Sequence, residues 1–454
     1  MVAGDQSDPA DVLVLGGGPA GYVCALRAAQ NGRAVTLVER ARVGGVCLNE
    51  GCIPSKHLAV FAAAKASAER FQAAGMPAFA SAPDLRAFQV KRAAAVDGLV
   101  RGVAGLLSGA GVAVIEGSAW FVGRTRVCVS VGEESVRYFD FKDVVIATGS
   151  CPASMPGLPF DGERVVEPSR ALEWTSAPAT LLVAGDDYIA LELAVAYARL
   201  GSRVVMATPA DRLLPDFDQD ISQAGQRGAR SAGVEVALST DPATIAADSE
   251  RVIVSAGRTP NLADLHLNAA GLPLGAEPLV VDDHLRVDRH VYAIGDVTGA
   301  PMLAHRAMAQ GRVAGDILGG KPAAMDVHAL PRVVFAEPEL AAVGPSEADA
   351  AEVGVEVLVG RFPLAALGRA VVESSTSGFA KLLFARGSGL LLGAHLAGPR
   401  ATDLVAEMAL AIEMGATAED LALTLHAHPT FAESAMEAAE VALGRPIHVR
   451  ASKR

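Results

Sequence analysis

The chain of 454 residues has no long apolar run and no excess of positive charge. A membrane-spanning helix needs about 20 consecutive apolar residues, and glycines or charged residues interrupt every long apolar stretch here. Asp and Glu outnumber Lys and Arg by 51 to 39, which gives a net charge of −12. Because an acidic protein repels the phosphate backbone of nucleic acids, we expect neither a membrane nor a nucleic-acid partner.

Cysteines are also few. The five cysteines are an odd number at scattered positions, which is not the framework of a disulfide-rich secreted protein. The N-terminal stretch has no basic region before its apolar residues, so a signal peptide is not expected. We therefore predict a cytoplasmic protein. In a reducing compartment, a close pair of cysteines is more often catalytic or metal-binding than structural. Cys47 and Cys52 are the one pair that is close in sequence.

The chain does contain an internal repeat. The segment VLVLGGGPAGYVCALRAAQNGRAVTLVER, from Val12, resembles LLVAGDDYIALELAVAYARLGSRVVMATP, from Leu181. Each copy predicts a strand, a tight turn, a helix and a second strand, and each has a later strand that ends in small residues. This order is typical of a dinucleotide-binding domain. The sequence therefore predicts an α/β fold with two Rossmann-like domains.

The first copy has every residue that such a domain needs. Gly16, Gly18 and Gly21 form G-x-G-x-x-G directly after an apolar strand. The first glycine permits the turn, the second lets the backbone approach a pyrophosphate, and the third lets helix and strand pack closely. Glu39 ends the next strand, where a carboxylate can accept hydrogen bonds from ribose hydroxyls. We predict that this copy binds a nucleotide.

The second copy departs from this pattern. Gly185 and Ala190 match the first and third glycines acceptably, but Asp187 replaces the second and Thr208 replaces the acid. We expect the Asp187 carboxylate to lie where a pyrophosphate would pass. The second copy is also shorter, because the predicted hairpin FVGRTRVCVSVGEESVRYFDF has no counterpart in STDPATIAADSE. We therefore predict that nucleotide binding by this copy is impaired or lost.

Two further segments carry reactive residues. In GGVCLNEGCIPSK, Cys47 and Cys52 lie near a predicted helix start, where a thiolate is stabilised, and Lys56 follows one turn later. A redox pair, a metal site and inert buried thiols are the three interpretations of these cysteines. In HAHPTFAE, His428 with Glu433 could form a base tuned near neutral pH, whereas His426 is expected to be structural.

Together these segments resemble the flavoprotein disulfide reductases, and within them the dihydrolipoamide dehydrogenase group. GGVCLNEGCIPSK is similar to the family's active-site disulfide segment, and VYAIGDVTGAPMLAHRAMAQG to its second flavin-binding segment. VVFAEPELAAVG and GATAEDLALTLHAHPTFAE resemble its dimerisation domain. The resemblance covers the chain from about Val12 to about Leu443. It implies FAD as cofactor and a homodimer in which each active site is shared across the subunits.

The resemblance also implies roles for individual residues. Lys56 would lie near flavin N5 and pair with Glu192. Cys47 would be the interchange thiol that faces a small-molecule or lipoyl-type dithiol, and Cys52 the charge-transfer thiol beside the flavin. His428 of the partner subunit, held by its Glu433, would be the acid/base. The residues implied in FAD binding are Gly16, Gly18, Gly21, Glu39 and Asp296.

The domain order that the resemblance implies begins with FAD binding and ends with dimerisation. We expect an FAD-binding domain with the redox disulfide, a trimmed NAD-binding-like domain, a small central domain that contacts FAD and an α+β dimerisation domain. Their predicted bounds are 1–152, 153–262, 263–328 and 329–454.

Three functions follow from the sequence. The first is an FAD-dependent oxidoreductase that oxidises a dithiol through a Cys47–Cys52 disulfide, with NAD(H) use impaired or lost and an unidentified electron acceptor. The second is an NAD-dependent enzyme of a 2-oxoacid dehydrogenase complex. The third is a non-catalytic flavoprotein scaffold, which would have no use for the complete set of reactive residues.

Overall fold

The computed structural model describes residues 7–77, 83–132, 135–273 and 277–450. The chain packs as two compact units. Of the described residues, those within 1–55, 86–153 and 257–326 form the first unit, and those within 56–85, 154–256 and 327–454 form the second. Both units alternate strands with helices, as the repeat predicts.

The strands and helices are numbered in chain order. The strands are β1 Ser7–Leu15, β2 Val35–Glu39, β3 Ala113–Glu116, β4 Ser118–Gly123, β5 Arg126–Val131, β6 Ser135–Ile146, β7 Ser150–Pro152, β8 Val165–Val166, β9 Thr180–Ala184, β10 Arg203–Ala207, β11 Glu235–Ala237, β12 Arg251–Val254, β13 Arg258–Pro260, β14 Arg286–Asp288, β15 Val291–Ala293, β16 Arg332–Val334, β17 Leu340–Val343, β18 Val357–Pro363, β19 Phe379–Ala385 and β20 Leu391–Ala397. The helices are α1 Pro19–Gln30, α2 Gly45–Asn49, α3 Cys52–Ala73, α4 Leu85–Gly109, α5 Pro168–Ala171, α6 Tyr188–Leu200, α7 Gln219–Ser231, α8 Ala304–Leu318, α9 Glu347–Glu352, α10 Gly368–Val372, α11 Ala401–Glu413, α12 Ala418–Leu423 and α13 Glu433–Ala442.

The first unit is built on a sheet whose central strands are parallel. The strand order is β14-β15-β6-β1-β2-β3, and β4 and β5 add an antiparallel extension next to β6. The alternating segment that predicts a hairpin forms this extension. Apolar residues of β1, such as Val12 and Val14, are fully buried because helices and loops cover both faces of the sheet. The carboxyl ends of β1, β2, β6 and β15 meet at one edge, where ligands bind in such sheets.

Helix α1 packs closely against α8 within this unit. The contact depends on Gly311, because a Cβ at that position would lie 2.5 Å from the carbonyl oxygen of Ala20. Helix α1 is thereby held over the end of β1, where the glycine-rich turn begins.

The second unit repeats the parallel arrangement in smaller form. Its parallel sheet has the order β11-β10-β9-β12-β8. Between β11 and β12 the chain forms two short 3-10 turns, Pro242–Thr244 and Ala246–Asp248, where the first copy has its antiparallel extension. The difference in length between the two copies therefore falls on this connection.

The same unit contains an antiparallel sheet at the C-terminal end of the chain, with the order β16-β17-β20-β19-β18. Strand β19 is buried along most of its length, and α11 and α13 cover the sheet. The core includes Phe362, Phe384 and Phe431. An antiparallel sheet with helices on one face is an α+β arrangement.

The fold class predicted from the sequence is confirmed. The four domain bounds are a finer division than the two compact units, and they stay a prediction. Among the described residues, no helix combines the length and apolar character needed to cross a bilayer.

Candidate active site

The turn after β1 requires glycine at two positions. Gly16 has a φ of +106°, and a Cβ there would lie 2.3 Å from the carbonyl oxygen of Ala147. A Cβ at Gly21 would lie 1.9 Å from the carbonyl oxygen of Gly16. Both distances are too short for any side chain. The glycines therefore allow β1, α1 and the end of β6 to converge.

The start of α1 is suited to a diphosphate. Gly18 is the N-cap residue, and no side chain caps the helix. A Cβ at Gly18 would meet only the Cα of Gly45, at 3.8 Å, so the residue borders open space. Uncapped N–H groups at a helix N-terminus attract anions. The residues present therefore fit the diphosphate of FAD.

Glu39 lies at the carboxyl end of β2 beside this turn. Its Oε2 accepts a hydrogen bond from the Gly17 N–H at 2.7 Å, and its Oε1 accepts one from the Ala41 N–H at 2.9 Å. A carboxylate has about four acceptor positions, so it can accept ribose hydroxyls as well. The backbone contacts fix the carboxylate where the adenosine part of FAD would lie.

Asp296 follows β15 at the same edge of the sheet and is held by a chain of hydrogen bonds from Arg258 through Ser150. Arg258 Nε donates to Ser150 Oγ at 2.7 Å, and Arg258 Nη2 donates to the Ser150 carbonyl oxygen at 2.7 Å. The Ser150 hydroxyl donates to Asp296 Oδ2 at 2.5 Å. One carboxylate oxygen of Asp296 is therefore fixed, and the other can accept a hydrogen bond from a hydroxyl of FAD.

Cys47 and Cys52 form a near pair because the helix is interrupted between them. Helix α2 ends at Asn49, and the Gly51 N–H bonds back to the Val46 carbonyl oxygen at 2.7 Å. Helix α3 then begins at Cys52, so this thiol lies at a helix N-terminus, where the dipole favours a thiolate. Burial and the neighbouring Cys47 raise the pKa of Tyr22. In the described residues, no group of three His, Cys, Asp or Glu is placed to hold a metal.

Lys56 and Glu192 form an ion pair. Lys56 Nζ lies 2.8 Å from Glu192 Oε2, and the Glu192 side chain is only 4% exposed. The second oxygen of Glu192 accepts a hydrogen bond from the Phe335 N–H at 2.9 Å. Lys56 Nζ also lies 4.8 Å from the centre of the Phe335 ring. The pair predicted from the sequence is therefore held by a third residue.

His428 and Glu433 are in contact, at 2.8 Å between Nδ1 and Oε1. Burial alone would raise the pKa of Glu433, but the Thr430 N–H and the His428 ring bring it below its usual value. His428 lies in the connection between α12 and α13, and its side chain is 76% exposed. The His426 ring is nearly buried and contacts Glu407, which is how a structural histidine is held.

In the second copy, a carboxylate occupies the start of the helix. Asp187 is the N-cap residue of α6 and accepts from the Ala190 N–H at 2.8 Å. The Ser255 hydroxyl lies 2.9 and 2.8 Å from its two oxygens. Burial raises the pKa of the Asp187 carboxyl to about 6, although these hydrogen bonds favour its charged form. The anion position that Gly18 leaves open in the first copy is therefore filled from within the chain.

The acidic residue that ends the second strand in the first copy is also replaced in this copy, where Thr208 follows β10. Thr208 is fully buried, and its hydroxyl donates to Asp186 Oδ2 at 2.6 Å. Asp186 occupies the position of Gly17 in the first copy. Its carboxylate therefore bonds the residue that replaces Glu39, and the contact that Gly17 makes with Glu39 is absent from the described part of this copy.

Four residues of these arrangements were not predicted from the sequence. They are Ser150, Ser255, Arg258 and Phe335. Ser255 could have been found from the sequence, because it replaces Ala147 at the end of the matching strand. Its hydroxyl can donate a hydrogen bond to the Asp187 carboxylate. The other three act across long sequence separations, which no local pattern encodes.

Two family models match the chain. A model described as pyridine nucleotide-disulphide oxidoreductase covers residues 10–311, and the dimerisation domain of the same family covers residues 330–439. Dihydrolipoyl dehydrogenase of Geobacillus stearothermophilus is 41% identical over 469 residues, with 99% of each chain covered. The enzyme of the same name from Bacillus subtilis is 41% identical over 470 residues, with 99% of this chain and 100% of the relative covered.

Solved structures show the same architecture. LpdA from Mycobacterium tuberculosis superposes with a TM-score of 0.87 at 26% identity, covering 95% of this chain and 99% of that one. The HOCl-induced flavoprotein disulfide reductase RclA from Escherichia coli superposes with a TM-score of 0.82 at 25% identity, covering 94% and 98%. The chain therefore belongs to the pyridine nucleotide-disulphide oxidoreductase family and is an FAD-dependent oxidoreductase that acts on a sulfur group, similar to dihydrolipoyl dehydrogenase.

Proposed function

We propose that this protein oxidises a lipoyl-type dithiol at Cys47 and Cys52, and that its use of NAD(H) is impaired or lost. The observation that carries the second part is the Asp187 carboxylate at the N-terminus of α6, bonded to Ala190 and Ser255. A cytoplasmic location is part of the proposal, because a reducing compartment supplies dithiols.

The thiol chemistry would start from a Cys47–Cys52 disulfide. One thiol of the substrate loses its proton to His428 and attacks the sulfur of Cys47, and Cys52 leaves as a thiolate. The second substrate thiol then attacks the mixed disulfide and releases Cys47, so the substrate becomes a disulfide. Two electrons now reside on the cysteine pair. Bound FAD would supply the two-electron acceptor for this pair, and turnover would then require an external oxidant.

The side chains around the pair support these steps. A thiolate at Cys52 is favoured by its position at the start of α3. Lys56 is held by Glu192 and would place a positive charge near the flavin, where charge develops. Glu433 fixes the His428 ring with Nδ1 towards the carboxylate, which leaves Nε2 to take the substrate proton.

We further propose that His428 acts in the site of the partner subunit. The dimerisation domain supports a homodimer. The His428 ring is largely exposed in the single chain, although a base needs a shielded position beside its substrate. Large apolar side chains of the same domain are also exposed, as expected for a surface covered by a second subunit. They are Leu410, Met414, Leu423, Leu425 and Ile447, at 63%, 75%, 75%, 99% and 75% exposure.

The second candidate is an NAD-dependent dihydrolipoyl dehydrogenase that serves a 2-oxoacid dehydrogenase complex. The identity of 41% over the full length to enzymes of that name favours it.

The alignment spans 469 residues, more than the 454 of this chain, so the relative has segments that this chain lacks. The short connection between β11 and β12 is where such a deletion would fall.

The test is to identify the acceptor that reoxidises the protein. The purified protein would be reduced anaerobically with dihydrolipoamide, and then oxygen, a quinone or NAD⁺ would be supplied separately. We expect oxygen or the quinone to restore the oxidised flavin spectrum, and NAD⁺ at ordinary concentrations to do so poorly. Rapid reoxidation by NAD⁺ would favour the second candidate.

The control is Cys47→Ser, because it removes the thiol that faces the substrate. This variant should keep its FAD and lose reduction by dihydrolipoamide. If it is reduced as fast as the unaltered protein, the dithiol does not react at the cysteine pair, and the first part of the proposal fails.

A further inference from the structure

Phe335 contacts both members of the Lys56–Glu192 pair. Its backbone N–H donates to Glu192 Oε1 at 2.9 Å, and its ring centre lies 4.8 Å from Lys56 Nζ. Glu192 Oε2 binds Lys56 at 2.8 Å, so both oxygens of this buried carboxylate have a partner. Phe335 directly follows β16, whereas Lys56 lies in α3 and Glu192 in α6. One residue thus joins three elements of the second unit.

We infer that Phe335 is a positioning residue, which holds the Lys56 ammonium at the place from which it acts on the flavin. The inference rests on the proposed function, because that function places Lys56 near the flavin. The Phe335 ring would fix the position of the Lys56 ammonium, which the ion pair with Glu192 does not do alone.

The physical reason is the flexibility of lysine. Its side chain has four rotatable carbons and a compact charge, so one ion pair leaves it several conformations. The Lys56 side chain is 28% exposed, and water can compete for its ammonium. The face of an aromatic ring attracts a cation within about 6 Å. The ring and the carboxylate together therefore restrict Nζ to one position.

The backbone contact acts on the other half of the pair. A buried carboxylate is costly unless its oxygens are hydrogen-bonded. The Phe335 N–H satisfies the oxygen that Lys56 does not reach, and it stays in place whatever the side chain at position 335. Substitution of the ring therefore changes the hold on Lys56 and leaves Glu192 satisfied.

The experiment is a double-mutant cycle on the FAD-loaded protein. The variants are Phe335→Leu, Lys56→Met and their combination, with the flavin midpoint potential as the measurement. A nearby positive charge stabilises the reduced flavin, which carries more negative charge, so Lys56→Met should lower the potential. Phe335→Leu should lower it by part of that shift and should add nothing in the Lys56→Met background.

Flavin reduction by dihydrolipoamide gives a second measurement in the same cycle. Phe335→Leu should slow it by about two- to thirtyfold, the range that corresponds to a lost cation–π contact. Phe335→Tyr retains the ring and should restore both the potential and the rate, whether or not the leucine variant is less stable.

The matched control is Phe217→Leu. Arg332 lies over the Phe217 ring at 4.8 Å, the same separation as for Lys56 and Phe335. This substitution also removes a cation–π contact in the second unit but leaves Lys56 untouched. It should leave the flavin potential unchanged.

The outcomes separate the two claims. If Lys56→Met leaves the potential unchanged, Lys56 does not act on the flavin, and the inference falls together with that part of the proposed function. If Lys56→Met shifts the potential while Phe335→Leu does not, or shifts it equally in both backgrounds, only the role of Phe335 is overturned.

Discussion

Replacement of Asp187 by glycine should open the second copy to a dinucleotide. In the present structure the carboxylate accepts from the Ala190 N–H and the Ser255 hydroxyl, at the helix start that a pyrophosphate would use. Two unit charges about 4 Å apart repel by about 4 kcal/mol at an effective dielectric constant of about 20. At about 1.4 kcal/mol per factor of ten, the carboxylate weakens pyrophosphate binding by nearly three orders of magnitude.

The substitution should be tolerated by the fold. Replacing an N-cap aspartate by glycine costs only a few tenths of a kcal/mol. Adding Ser255→Ala reproduces Ala147, the residue at the matching position of the first copy, and removes a hydroxyl that would lose its acceptor. Asp241→Gly is the control, because Asp241 caps a short 3-10 turn of the same domain by accepting from the Ala243 N–H. It loses a cap while the Asp187 carboxylate at the start of α6 is kept.

The assay is NADH binding, by anaerobic titration of the FAD-loaded protein at pH 7.5. We expect Asp187→Gly to bind NADH about a hundred- to a thousandfold more tightly than the unaltered protein, and Asp241→Gly to bind as the unaltered protein does. If Asp187→Gly retains its FAD and its melting temperature but binds NADH no better, the carboxylate is not the obstacle, and the electrostatic reasoning is refuted.

Three further predictions concern pH, FAD retention and the acid/base. Because the pKa of Asp187 is about 6, above its ordinary value of 3.8, its contribution to stability is present below pH 4 and lost as the pH rises to 6. Urea unfolding should therefore show Asp187→Asn gaining up to about 3 kcal/mol relative to the unaltered protein between pH 4 and pH 7. Gly21→Ala should abolish FAD binding and folding, because its Cβ would lie 1.9 Å from the Gly16 carbonyl oxygen. Gly18→Ala should fold and lose FAD more readily, because its Cβ would make only an ordinary contact, at 3.8 Å from the Gly45 Cα. Flavin content and melting temperature measure both outcomes. Glu433→Gln should slow flavin reduction by dihydrolipoamide about ten- to a hundredfold at pH 7 with FAD content unchanged, because the His428 ring loses the charged acceptor that orients it; an unchanged stopped-flow rate would contradict this role.

The family resemblance supplied Asp296 and the Lys56–Glu192 pair, whose members lie 136 residues apart. The other predicted parts of the site are those encoded locally. Gly16 and Gly21 lie five residues apart in one turn. The strand and helix that this turn joins leave no room for a Cβ at either position. Cys47 and Cys52 are brought near each other by a break in one helical segment. A short motif fixes such geometry, so the sequence is sufficient to propose it.

The remaining parts depend on contacts between distant segments. Phe335 reaches Glu192 across 143 residues, and Ser255 reaches Asp187 across 68. The register that joins these segments is set by the packing of whole strands and helices, and no spacing in the sequence reports it. The sequence showed that Asp187 departs from the pattern, but only the structure shows that its carboxylate turns back to cap its own helix.

The most direct test of the central proposal compares two reductants on the same protein under anaerobic conditions. Dihydrolipoamide and NADH would be added to separate samples of the FAD-loaded protein, and the flavin and charge-transfer absorbance followed. We predict that dihydrolipoamide reduces the flavin and that NADH at micromolar concentration does not. Full reduction by micromolar NADH would contradict the proposal and would make the protein a nicotinamide-dependent member of its family.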